Sequence, residues 1–452
     1  MKTYDVVIVG AGPAGLTAAK IAAENGLSVA LVERKETIHE ILRLCAMMLV
    51  TLSGKYMGER IIHNQEEGLL CFPHHGFNLK YNGPTKDFFS WEIYSPGGEK
   101  ISFGDYSANV QKGKAGRASA VYDKSWFLRG LLEECRKLGV HIFTGANVIE
   151  VKKVGDTVCV YTAKGKSFKG AFAIAADGRA SRTVRVLGLN QNRGFYGTVT
   201  SWAYEMTNLD LPHPYALYQL LIRSGDPPML AFIVPRAWNY QGDEVWLVMV
   251  GSVDPANDHE TLFNYFTRES RFSSWFKHAK RIKRCAVVGN IYAPIFHPFK
   301  DNILFAGDAG WCQEAEMTGA VMCGWKAATT ITFALKEGMH NEEGIQPYLR
   351  WWRTHHLEKM DYQVFLKNFL MPILCSDDEI NYIFSKIHDT LPTVLDPYEV
   401  PIHMGKAMAK IIPTIKSERP DLITKLETFS SFPILSVLKN TIRAGFNGNF
   451  TI

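Results

Sequence analysis

No apolar run in this chain is long and uninterrupted enough to read as a membrane span, and none of its eight cysteines falls in a CxxC pair. Cys45, Cys71, Cys135, Cys159, Cys285, Cys312, Cys323 and Cys375 are scattered. That disfavours zinc sites and cysteine-ligated iron–sulfur clusters, and it fits a reducing cytoplasm better than a disulfide framework. The N-terminal run MKTYDVVIVGAG is broken by Asp5 and ends in a glycine-rich turn, so it does not read as a signal peptide. The longest apolar helix candidate, Gly319 to Leu335, carries Lys326 and is too short and polar to cross a bilayer. These features predict a cytoplasmic protein and leave peripheral membrane contact open. One-sided charge is also lacking. The net charge is +5 over 452 residues and Lys and Arg are mixed with Asp and Glu, so no nucleic-acid partner is expected. There is no repeat and no low-complexity tract.

What remains is an ordinary globular composition, 46% hydrophobic and 21% charged, in a chain long enough for two or three structural parts. Tyr4 to Val9 is a β-branched run, Pro13 to Asn25 an Ala-rich helix ending at Gly26, and Ser28 to Glu33 a second strand. Residues 35 to 65 look helical and irregular. Ser95-Pro96-Gly97-Gly98 marks a hairpin, Lys124 to Leu138 has helical spacing, and Val140 to Tyr161 reads as strands around Gly155-Asp156. Ala171 to Ala176 is another small apolar strand. Runs at Thr198–Tyr204, Ala231–Val234 and Val245–Val250 suggest a separate sheet, and Ile303 to Ala306 returns to the first domain. After Thr318 the chain reads as helical. The predicted class is α/β: a nucleotide-binding domain of Rossmann type (1–70, 121–190, 296–335) interleaved with a sheet-based substrate domain (71–120, 191–295), then a helical region (336–452).

Gly10-x-Gly12-x-x-Gly15 lies between the first strand and helix. Gly10 permits the tight turn, Gly12 lets backbone approach a pyrophosphate, and Gly15 lets helix and strand pack closely. The phosphates then meet free N–H groups at a helix N-terminus. Glu33 ends the second strand eighteen residues after Gly15, where an acid binds ribose hydroxyls. Arg34 follows it and is either a surface residue or a partner for a 2′-phosphate.

This unit alone does not choose between NAD and FAD. Ala175-Ala176-Asp177-Gly178-Arg179-Ala180-Ser181-Arg182 follows one later strand, and Gly307-Asp308-Ala309-Gly310 follows another, ahead of a helix-forming run with Thr318-Gly319. In this order the segments resemble the glutathione-reductase-like FAD fold shared by aromatic hydroxylases and geranylgeranyl reductases, over roughly the first 330 residues. The resemblance implies FAD. It implies cofactor contacts at Gly10, Gly12, Ala14, Gly15, Glu33, Arg34, Asp177, Gly307 and Asp308, with Val148 on the adenine through its backbone. It also implies that the helix N-terminus at Gly319-Ala320 faces the pyrimidine end of the flavin, where reduced flavin carries negative charge. The family's proline after Gly-Asp is missing, Val321 replaces its second glycine, and Glu314 and Glu316 stand nearby.

Two details resemble the geranylgeranyl reductase branch. Cys45 lies twelve residues after Glu33, the spacing of that branch's flavin-side cysteine, although Ala46 replaces the following glycine. Leu230-Ala231-Phe232-Ile233-Val234-Pro235-Arg236 stands where those enzymes carry Tyr-x-Trp-x-Phe-Pro-Lys. The resemblance implies an oxidoreductase that reduces or desaturates a carbon–carbon bond in an apolar or aromatic-containing small molecule. Cys45 is then a proton donor or a packed thiol, and Trp202, Tyr204, Phe232 and Trp246 lie in the substrate sheet, some as plain core. No second dinucleotide fingerprint is present, so electrons come from transiently bound NAD(P)H or a reduced carrier protein. An aromatic monooxygenase and an electron-transfer flavoprotein stay open as alternatives. His74-His75 and His355-His356 read as solvated or core-edge histidines, Tyr348 with Trp351-Trp352 as helix packing, and Lys406, Lys410, Lys416 and Lys425 as a basic or simply solvated helix face.

Overall fold

The computed structural model describes residues 2–49, 57, 59–223, 229–252, 258–311, 316–358, 374–396 and 398–431, with backbone only at 196, 197, 252, 316 and 428–431. Cys312, Gln313, Glu314 and Ala315 lie outside the described residues, as does the side chain of Glu316.

The first sheet has eight strands. Its parallel core runs His141–Phe143, Val29–Val32, Thr3–Val9, Ser167–Ala175 and Ile303–Phe305. Val29–Val32 is buried at every position, the pattern of a strand covered on both faces. The helices Pro13–Glu24, Lys124–Lys137 and Glu316–Lys336 cover one face through Leu16, Phe127, Leu131 and Ile331. Val7, Ala30, Val148 and Val160 form a core on the other. An antiparallel pair, Val148–Val154 and Thr157–Thr162, joins Ser167–Ala175.

The helix Pro13–Glu24 starts at N-cap Gly12 with Pro13 in its first turn, a position where proline's missing N–H costs nothing. It packs against Glu316–Lys336 so closely that a Cβ on Gly324 would sit 2.2 Å from the Ala14 carbonyl oxygen.

The second sheet has seven strands in the order 280–292, 195–207, 243–252, 229–240, 216–222, 90–94, 100–103. Helix His259–Arg268, with Phe272 and Phe276, covers one face through Phe263 and Phe266. The other face packs Ala203, Leu217, Val234 and Leu247 with Leu44 and the C-terminal helices Asp377–Lys386, Val400–Glu418 and Pro420–Ser431. Of Trp202, Tyr204, Phe232 and Trp246, three lie on the helix-covered face. Trp202 and Tyr204 donate to Glu260 on that helix at 3.1 and 2.7 Å, and Trp246 is buried in the same layer. Of these four, Phe232 alone shares the face of Leu44. Alternation put these residues on one sheet, but the packing of His259–Arg268 decides which face is which.

Residues 35–65 depart from the helical expectation. The described part is bends with short strands at Met48–Leu49 and Ile62–Asn64. Tertiary hydrogen bonds replace helical ones: the Lys35 ammonium donates to the Ile38 and Glu40 carbonyls, and Leu44 N–H donates to the Ala286 carbonyl at 3.2 Å. His356 is not at an edge but wholly buried, stacked on Trp352 with ring centroids 4.0 Å apart. His75 Nδ1 lies 2.7 Å from the buried Glu59 carboxylate, whose ionised form the surrounding N–H groups favour strongly enough to outweigh burial. Lys406 and Lys416 are exposed, while Lys410 and Lys425 pair with Asp389 and Glu379. No helix among the described residues is long and apolar enough to cross a membrane.

The contact at Gly324 sets up a test in which two effects oppose. Alanine gains about 1 kcal/mol of helix propensity over glycine. The added methyl meets main chain rather than a movable side chain, and overpacking of that kind costs about 1–3 kcal/mol. Gly324→Ala should therefore lower the unfolding free energy of the apoprotein by up to about 2 kcal/mol net, and with it the urea midpoint. A midpoint equal to or above the parent's would show that the two helices separate freely.

Candidate functional site

The glycine turn is shaped by what cannot fit. Gly10 has φ +101°, and a Cβ there would lie 2.3 Å from the Ala176 carbonyl oxygen. A Cβ on Gly15 would lie 1.9 Å from the Gly10 carbonyl oxygen. Gly12 differs, since a Cβ there would meet nothing within 4 Å. The helix that starts at Gly12 has no side-chain cap and no acid in its first turn, so its N–H groups point into open space with the positive dipole end.

Two cavities flank the turn. One, of about 640 Å³, is lined by Gly10, Glu33, Arg34, Val148 and Asp177, with Arg182 and Arg185. The other, of about 290 Å³, is lined by Gly12, Ala14, Arg43, Cys45, Lys124, Val287, Gly307, Asp308 and Ala320. Gly15 and Gly319 are buried behind these walls in their helices.

Glu33 is nearly buried, and its two carboxylate oxygens accept the N–H groups of Ala11 and Lys35 at 2.7 and 2.8 Å. Each oxygen keeps a second lone pair for a ligand hydroxyl. Asp177 is more fully engaged within the protein. It accepts from the Ser181 hydroxyl at 2.6 Å and from the Thr183 N–H and hydroxyl at 3.0 Å each, starting the helix Arg182–Val186. Val148 begins its strand and is 7% exposed at the edge of the larger cavity. Asp308 follows Gly307, at φ +62°, and lies 3.4 Å from the Arg43 guanidinium.

Cys45 is half-buried in the smaller cavity, and its surroundings hold residues that sequence reasoning missed. The Lys124 ammonium lies 3.7 Å from its sulfur. Its backbone is gripped by Arg236, which is 2% exposed and donates to the Cys45 and Ala46 carbonyls at 2.9 and 3.2 Å. Arg236 Nε also pairs with Glu205 at 3.2 Å, and its guanidinium lies over the Trp238 ring at 5.1 Å. The Pro235-Arg236 end of the substrate-sheet segment thus fixes the cysteine loop. Arg236 carried a sequence signal through that segment; Glu205, Arg43 and Lys124 carried none.

A glycine turn with nucleotide-sized space on both sides, closed by a returning strand and a second sheet, is the arrangement of a dinucleotide-binding protein of Rossmann type. The chain belongs to the FAD binding domain family, whose model matches residues 3–312, and it is an FAD-dependent oxidoreductase of geranylgeranyl reductase-like type. It is 24% identical over 428 residues to a digeranylgeranylglycerophospholipid reductase of Methanocaldococcus jannaschii, covering 93% of this chain and 96% of that one. The corresponding Methanococcus vannielii reductase is 24% identical over 430 residues, covering 91% and 95%. Among solved structures, a geranylgeranyl bacteriochlorophyll reductase-like protein of Thermoplasma acidophilum shares the fold with a TM-score of 0.67 at 21% identity, covering 95% of this chain and 99% of that one. The halogenase PltM shares it with a TM-score of 0.63 at 13% identity, covering 99% and 92%.

The Arg236–Glu205 pair is buried, so removing one partner strands the other's charge, at a cost of about 3–5 kcal/mol. Glu205→Leu should lower the unfolding free energy measured in urea by that order and loosen the Cys45 loop, read as faster amide exchange at Leu44 to Met47. Parent-like stability and exchange would mean the guanidinium does not depend on Glu205.

Proposed function

We propose that the protein reduces a carbon–carbon double bond in an apolar prenyl-type lipid. One observation carries this reading: the wall of the smaller cavity includes Val287, which stands on the edge strand of a largely apolar face of the second sheet. Across the strands it continues as the row Val287, Ser201, Gly251 and Leu230, and beside it runs Cys285, Ala203, Met249 and Phe232. Leu230, Phe232, Met249 and Cys285 are only partly buried, so this face has contact surface left for a hydrocarbon chain. Burial pushes the Cys285 thiol's pKa up, so it stays a neutral wall residue. The related archaeal proteins are named as reductases of a digeranylgeranyl lipid, the same chemical class.

In this reading the glycine turn would hold FAD. Glu33 would bind ribose hydroxyls from the wall of the larger cavity, with Val148 on the adenine side and Arg34 beside them. The backbone of Gly12 and Ala14 at the helix N-terminus would hold the pyrophosphate. Gly307, Asp308 and Ala320, with Gly319 behind them, would hold the flavin half. When bound, the flavin supplies hydride chemistry at N5. Cys45 holds a proton at Sγ for the substrate carbon, and the apolar face orients the chain and excludes water. Segments 1–70, 121–190 and 296–335 carry the cofactor, and 71–120 and 191–295 the substrate. NAD(P)H or a reduced carrier protein supplies electrons, and a peripheral approach to a membrane delivers the lipid.

The test is anaerobic. FAD-loaded protein is reduced with dithionite, then mixed with a geranylgeranyl lipid or with its saturated counterpart. Only the unsaturated lipid should restore the oxidised flavin spectrum, and the product should carry two more hydrogens. An oxygen-dependent hydroxylated or halogenated product, with no anaerobic reoxidation, would overturn the proposal.

A further inference from the structure

Lys124 is the first residue of the helix Lys124–Lys137. Its position is fixed from behind: the Asp123 carboxylate caps the helix by accepting the N–H groups of Ser125 and Trp126 at 2.8 and 3.3 Å, and the Asp123 N–H donates to the Tyr81 hydroxyl at 2.9 Å. The lysine side chain leaves this anchored turn and ends 3.7 Å from Cys45 Sγ, with both residues in the wall of the smaller cavity. Cys45 is fixed independently, through the Arg236 bonds to its own and the next carbonyl. The contact therefore joins two separately positioned residues.

Chemistry gives the contact a direction. An ammonium has three donors and no acceptor, so the sulfur accepts from Lys124. The thiol's single hydrogen then points away from the lysine. The other charged groups of the cavity wall are Arg43, Arg179 and Asp308. Asp308 faces Arg43, and among the described residues no carboxylate lies within ion-pair distance of Lys124.

We infer that Lys124 is the proton reservoir of Cys45, acting through the thiol rather than on the substrate; this rests on the reading of Cys45 as proton donor. The S–H bond breaks as a C–H bond forms at the substrate carbon, leaving a thiolate at Sγ. An N–H bond at Nζ then breaks and the S–H bond reforms. The neutral amine recovers its proton from water in the cavity. The net transfer is one proton from solvent to carbon. Neither residue changes oxidation state, and the reducing electrons come from the reduced flavin. The Lys124 cation also stabilises the thiolate left at Sγ until its proton is replaced.

The test uses FAD-loaded protein and two readouts. Iodoacetamide labelling near neutral pH is followed at the Cys45 peptide by mass spectrometry, and flavin reoxidation by a geranylgeranyl lipid is followed anaerobically. Lys124→Met keeps the stem and should retain FAD, while slowing both Cys45 labelling and reoxidation by about tenfold. Lys124→Arg keeps a cation and should hold labelling close to the parent rate. Parent-like labelling and reoxidation in Lys124→Met overturn the inference. If Cys45→Ser is slow while Lys124→Met is not, the lysine fails alone and the cysteine reading stands. If Cys45→Ser also turns over at the parent rate, the cysteine reading falls and this inference with it.

Discussion

Three main-chain segments approach one another around the glycine turn with no room for a side chain. A Cβ at Gly10 would lie 2.3 Å from Ala176 O, one at Gly15 1.9 Å from Gly10 O, and one at Gly324 2.2 Å from Ala14 O. Each clash is with backbone, so it cannot be relieved by turning a rotamer. These contacts fix the first helix against the strand Ser167–Ala175 and against the helix Glu316–Lys336. Everything needed for a dinucleotide follows from that crossing. The helix N-terminus is left uncapped, the strand ends are drawn together, and the space divides into one cavity on each side of Gly10–Gly15.

A second constraint couples this nucleotide frame to the other sheet. Arg236 comes from the sheet and holds carbonyls of the loop that carries Cys45, while Glu205 pairs with it from the strand 195–207, two places away in that sheet. Leu44 adds a main-chain bond to the edge strand at Ala286, and Arg179 donates to Val288 on the same strand at 2.7 Å. The loop is thus a bridge rather than a connector. Its conformation depends on both sheets, which explains why its backbone needs no helix.

How much was legible in the sequence followed the range of the interactions. The strand Thr3–Val9 and helix Pro13–Glu24 are set by local pattern, a β-branched run and then Pro and Ala residues, and were readable. Glu33, Gly307 and Asp308 were readable because their spacing from strands is part of the motif. The loop after Glu33 was not, because Lys35, Leu44 and Arg236 hold it through contacts that its own residue pattern does not encode. Trp202 and Tyr204 show the same limit, since period-two alternation separates the faces of a strand without saying which face meets the site. His356 was misjudged for a related reason: its burial depends on stacking against Trp352 in the folded interior, which residue type does not reveal. Lys124 shows it most plainly, since a lysine opening a helix carries no sequence mark until the cysteine is seen opposite it.

The most direct test of the shared space between the two sheets is a crystal structure of the FAD-loaded protein with a bound geranylgeranyl lipid. The expected result is FAD across the Gly10–Gly15 turn, the hydrocarbon along Leu230, Phe232, Met249 and Cys285, and a double bond beside Cys45 Sγ. A lipid seated on the face of Trp202, Tyr204 and Trp246, with the Cys45 cavity left to water, would contradict it.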